Sequence, residues 1–92
     1  MEYVSVNYSE EEQAWVSPEI TLQRDIYLMI TLKVPGKIVL RQDIGDGKKP
    51  RVPLSPHKNT KGFNLRIEVL AETVKIKIFT STEPMEIKYA YI

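Results

Sequence analysis

The sequence predicts an all-β chain folded as a small antiparallel β-sandwich, Ig-like or jelly-roll-like, with a partly open barrel as the alternative. Three observations carry this. Apolar and polar residues alternate with a period of two along most of the 92 residues. The prolines and glycines fall between the periodic runs rather than inside them, and about seven such runs can be separated. The length suits one hydrophobic core, so residues 1–92 are expected as a single domain.

The first run is Val4, Val6 and Tyr8. A helix fits only after it, where Ser9 supplies a cap and Glu12 closes a capping box three residues on, with one turn as the limit before Trp15. Ile20 and Leu22 follow Pro18 as a short strand. In residues 26–34, Ile26, Leu28, Ile30, Leu32 and Val34 fill one side while Tyr27 and Met29 lie on the other. Pro35 and Gly36 suit the two central positions of a type II turn, which predicts a hairpin between 26–34 and 38–42. The cleanest alternation is Phe63, Leu65, Ile67 and Val69 against Asn64, Arg66 and Glu68. Val74, Ile76 and Ile78 against Lys75 and Lys77 come next, so 63–70 and 73–80 are expected to pair as a second hairpin. Ile87 and Tyr89 mark the last strand. Over 43–62 the alternation fails, which predicts a long basic loop. Within it Asp46 and Gly47 form a turn, and a short edge strand lies around 52–54.

Composition excludes several functions. With 42% hydrophobic and 27% charged residues, the chain is neither disordered nor rich enough in apolar sequence for a membrane span; its longest apolar run, 26–30, is strand-sized. It has no cysteine and one histidine, too few ligands for a closed zinc site. His57, with Ser55 two residues away, lacks the nucleophile elbow and the glycine pair of a hydrolytic site. Glu11 with Glu12 and Asp43 with Asp46 lack both the aromatic-walled cleft of a glycosidase and the spacing of a calcium loop. The glycines before Lys48 do not have P-loop spacing. No enzyme activity, cofactor or metal is expected. The first residues contain neither a basic leader nor an apolar signal segment, which predicts that the chain, made as given, stays in the cytoplasm; a fragment whose leader had been removed would show the same start.

Two patterns point to partners. The net charge of +1 hides opposite regions. Glu2, Glu10, Glu11, Glu12 and Glu19 precede the first basic residue, whereas Lys48, Lys49, Arg51, Lys58, Lys61 and Arg66 follow one another with no acid among them. In addition, Tyr27, Met29, Tyr91 and Ile92 are apolar where a two-layer sandwich needs polar residues, as at a protein interface. The leading expectation is therefore a non-enzymatic structural or interaction module. It would assemble with other copies of itself or decorate a larger protein assembly, such as a phage particle, through Tyr27, Met29, Tyr91, Ile92 and the basic residues 48, 49, 51, 58 and 61. An alternative is a carbohydrate-binding module that stacks sugar on Trp15. The third and weakest is nucleic-acid binding by the 48–61 loop, which has cations but no aromatic platform before Phe63. The likeness to sandwich modules of virion parts, adhesins and carbohydrate-binding proteins is architectural and rests on no diagnostic residue.

Overall fold

The computed structural model describes residues 1–54, 59–70 and 72–92. Ten strands follow in order: β1 (Glu2–Tyr3), β2 (Asn7–Ser9), β3 (Ala14–Val16), β4 (Ile20–Leu22), β5 (Ile26–Gly36), β6 (Ile38–Asp43), β7 (Arg51–Pro53), β8 (Thr60–Ile67), β9 (Val74–Thr80) and β10 (Pro84–Tyr91). There is no helix among the described residues. Two antiparallel sheets pack against each other and do not close into a barrel. One runs β1-β10-β5-β8 and the other β2-β3-β9-β6-β7, with β4 also paired to β9.

The count exceeds the expected seven because the N-terminal third is broken into short pieces. In place of the one expected strand through Val4, Val6 and Tyr8, there are two short strands in different sheets, β1 before Val4 and β2 after Val6. Residues 9–15 form a hairpin turn rather than a helical one. The Glu12 N–H does donate to Ser9 Oγ at 3.2 Å, as a cap would require. Gln13, however, stands at φ 51° and turns the chain back, so that Tyr8 pairs with Trp15.

A single relation organises the remainder: the chain is an antiparallel ribbon doubled about its middle. Arg41 faces Arg51, Ile26 faces Ile67, Trp15 faces Thr80 and Glu2 faces Tyr89. The bend lies in residues 44–50, where Gly45 and Gly47 take φ of 87° and 82°. The carboxylates of Asp43 and Asp46 accept the N–H groups of Gly45 and Lys48, at 2.9 and 2.8 Å. Such a ribbon has one apolar face and hides it by folding over on itself, so successive segments pass to opposite sheets.

That folding corrects both expected hairpins. β5 and β6 are adjacent in sequence but lie in different sheets, as do β8 and β9. Gly36 is not at positive φ; its small size is what matters. The corner is pinned by Lys37 N–H donating to Ser81 Oγ at 2.7 Å and Thr82 Oγ1 donating to the Val34 carbonyl at 2.8 Å. A Cβ on Gly36 would stand 2.9 Å from Ser81 Oγ and closer still to Thr82 Oγ1. Because the register of β5 against β8 shifts between Thr31 and Gly36, Val34 leaves the core and is exposed. The expected loop over 43–62 is shorter than its bounds, since β7 pairs with β6 at the sheet edge and β8 begins at Thr60. Pro53 is tolerated because it sits on that edge.

Between the sheets, Ile26, Leu28, Ile30, Leu32 and Ile87 of one meet Leu22, Ile38, Leu40, Ile76 and Ile78 of the other, all nearly without solvent contact. Ser17 and Thr80 are the buried polar residues among those described, and Ser17 completes a strand ladder. β3 and β4 are a single pass along β9, interrupted at Pro18. Buried Ser17 bridges the break by donating its N–H to the Ile78 carbonyl and accepting the Ile78 N–H on Oγ, each at 2.9 Å. The Ser17→Ala variant leaves that amide unpaired, and its urea midpoint is expected to fall by the equivalent of about 1–3 kcal/mol. Gly36→Ala is expected to lose about 1–3 kcal/mol in the same assay. Gly62→Ala is the control, since its Cβ would meet nothing nearer than the Ile30 carbonyl at 3.5 Å.

Candidate functional site

The outer face of the four-stranded sheet carries the first group of expected contact residues. Tyr27 stands opposite Ala90 and Met29 opposite Lys88, whose other neighbour is Tyr3 on β1. The ladder continues past β10 through the Ile92 N–H, which donates to the Asp25 carbonyl at 3.1 Å and leaves Ile92 on the Tyr27 side. Tyr3 is 68% exposed, Tyr27 43% and Ile92 59%. Met29 is half-buried among these neighbours. Tyr91 does not belong to the group: it pairs with Ile26 on the core-facing side. Its ring meets Tyr89 edge-on at 5.8 Å, with the Arg24 guanidinium 4.7 Å above it. Tyr3 went unnoticed in the sequence because it falls outside the run formed by Val4, Val6 and Tyr8.

The outer face of the six-stranded sheet holds a second feature. Val16, Phe79, Val39 and Pro53 lie side by side in one row across four strands. The next row is Lys77, Arg41 and Arg51. Phe79 is only 5% exposed although it points away from the core, because the Arg51 guanidinium lies 4.5 Å over its ring. Glu12, reaching over from the β2–β3 turn, accepts both terminal nitrogens of Arg51 at 2.9 and 3.0 Å. That contact holds the Glu12 carboxyl below its ordinary value of 4.5 and raises Arg51. Beside this pair a cleft of about 390 Å³ opens, floored by Val39, Phe79 and Pro53 and rimmed by Glu12, Lys37 and Arg51. Ile78 and Phe79 are consecutive apolar residues in a strand, so one of them has to face outward; that was the signal for Phe79.

The acidic N-terminal region and the basic stretch therefore meet within one molecule. Arg51 is taken by Glu12, while Glu19 reaches Arg41 at 3.5 Å and Lys75 at 3.9 Å. Lys48 and Lys49 are exposed within the ribbon's bend, and Lys61 is exposed near the start of edge strand β8. Lys58, like Ser55 and His57, lies outside the described residues. Trp15 is half-buried, and Tyr8 meets it at 5.4 Å with the rings inclined by 72°, so the two do not form one flat platform.

Another polar cluster fastens the end of the sandwich. Asp25 Oδ1 accepts the Val69 N–H at 2.9 Å and Oδ2 accepts Arg66 Nη2 at 3.1 Å, while its carbonyl holds Ile92. The Val69 amide and then the Arg66 guanidinium lower the Asp25 carboxyl from its ordinary 3.8. No helix among the described residues is long and apolar enough to cross a membrane. Compared with known proteins, the chain matches no family model, no curated protein and no solved structure.

The carboxylates of Glu12 and Asp25 set an acid dependence. Both titrate lower in the folded chain than their ordinary values of 4.5 and 3.8. The stability they contribute is thus complete above those values and is lost as pH falls through the depressed folded values. Thermal melts between about pH 6 and pH 2 should show Tm dropping on acidification. The double variant Glu12→Gln, Asp25→Asn is expected to show a shallower drop from a lower starting Tm.

Proposed function

We propose that the chain is a non-enzymatic interaction module that binds a second copy or a larger protein body through the outer face of its four-stranded sheet. The observation that carries this reading is the cluster of Tyr3, Tyr27, Met29 and Ile92 on a face that a solvated sheet fills with polar side chains. Tyr and Met are enriched at protein interfaces, and covering each such side chain is worth about 1.5–3 kcal/mol. The flanking Lys88 and Glu86, which are paired, and Arg66 supply the polar rim.

We also infer that the sandwich is wound as a jelly roll rather than as an immunoglobulin domain. A ribbon doubled about its middle, with β1-β10-β5-β8 facing β3-β9-β6-β7, has the strand order of that winding. Viral capsid and lectin domains use it, and this analogy of fold keeps both a virion part and a glycan binder in view. The inclined rings at Trp15 favour the protein partner over the sugar.

Sedimentation at increasing concentration, together with a photo-crosslinking residue placed at Tyr27 in the native source, tests the proposal. Self-association that Tyr27→Glu, Met29→Glu abolishes without changing Tm, or a crosslink formed from position 27 and not from position 75, is the expected result. A chain that stays monomeric at millimolar concentration and crosslinks no more from 27 than from 75 overturns it.

A further inference from the structure

The second outer face raises a separate question, because its charge pattern works against the fold. Lys77, Arg41 and Arg51 stand directly opposite one another on three adjacent strands, and like charges in register across strands repel. The chain tempers this with two carboxylates brought in from outside the row: Glu12 on Arg51 and Glu19 on Arg41. Glu12 fills the planar fork of Arg51 with both oxygens, the geometry in which guanidinium recognises carboxylate. It comes from an exposed turn, the pair is open to water, and such exposed pairs are weak and screened by salt. Replacing it therefore costs the protein little.

Immediately beside the fork lies the 390 Å³ cleft on Phe79, Val39 and Pro53, with room for one or two apolar side chains. Cations and an apolar floor in one small depression complement a segment that carries both an acid and a hydrophobe. A nucleic acid fits less well, since the only aromatic on the floor already lies under Arg51 and offers no open ring face for a base.

We propose that this cleft is a docking site for an acidic, extended peptide segment of a protein partner. An Asp or Glu of the partner takes the Arg51 fork in place of Glu12, and an adjacent apolar side chain packs on Val39 and Pro53 beside the edge of Phe79. Glu12 then acts as an internal stand-in that keeps the site closed until a better carboxylate arrives.

The probe is a synthetic peptide with the sequence of residues 9–16, SEEEQAWV, which carries three glutamates next to apolar residues. Titrated against the full chain, it should bind Glu12→Gln about tenfold more tightly than the wild type, because a neutral amide holds the Arg51 fork far less firmly than a carboxylate does. Adding Arg51→Lys, which keeps the charge and removes the fork, should cancel that gain. The same peptide with glutamines for glutamates should not bind. In the unaltered protein, saturating peptide should shift the NMR signals of Arg51, Val39 and Phe79, a reading that does not depend on any variant folding. Equal affinity for Glu12→Gln and wild type, a gain that survives Arg51→Lys, or no shifts at these residues overturns the proposal. So does tighter binding of a thymidine oligonucleotide than of the peptide, which would assign the cations to nucleic acid.

Discussion

The fold depends on one constraint: a two-stranded antiparallel ribbon has a single apolar face and can shield it only by closing that face upon itself. From Glu2 opposite Tyr89 to Arg41 opposite Arg51, pairing spans the midpoint of the chain. The Ile and Leu side chains that line one side of the ribbon thus become the interior when it curls over. Each curl moves the chain from one sheet to the other, and the strands then meet new neighbours, β5 with β10 and β6 with β9. Nearly all these partners are remote in sequence, which places the molecule among slow, topologically complex folders.

Curling a ribbon interrupts its strand ladders at the corners, and side chains and small residues hold the chain together there. Ser17 completes the ladder of β9 where Pro18 interrupts it. Gly36 lets Ser81 and Thr82 approach closely enough to tie β5 to the β9–β10 connection. Asp25 uses three oxygen atoms to hold the start of β5, the end of β8 and the last residue together. Among the described residues no buried side-chain nitrogen or oxygen lacks a partner, as expected where an unpaired group costs more than a made bond returns.

What the closed core does not use is left on the two outer faces, and they differ in character. The four-stranded sheet presents tyrosine, methionine and isoleucine, suited to a broad, mostly apolar contact. The six-stranded sheet presents a cation row beside an apolar row, suited to a narrower and more charge-selective one. The acidic run 10–12 supplies Glu12 to satisfy Arg51. The near-neutral net charge thus arises partly from pairing inside one molecule. If both proposals hold, the two dissimilar faces would join unlike neighbours without forming one large sticky surface.

Alternation at Phe63, Leu65 and Ile67 and at Val74, Ile76 and Ile78 determined, without any structure, that the chain is all-β and which side of each strand is apolar. It also identified Tyr27 and Met29 as out of place. Ser9 and Glu12 suggested one helical turn, but the hydrogen bond they make closes a hairpin turn instead. Whether Pro35 and Gly36 turn within a sheet or pass between sheets was not legible, because both arrangements leave the side-chain pattern of the flanking strands unchanged. The same holds for whether β8 and β9 pair with each other or lie in different sheets. Strand partners more distant in sequence decided between the two, and with them the positions of Tyr91 against Tyr27 and of Arg51 over Phe79. A period of two records which way a side chain points from its own strand. It carries no record of which strand lies alongside, and that neighbour is selected only when the whole apolar face closes.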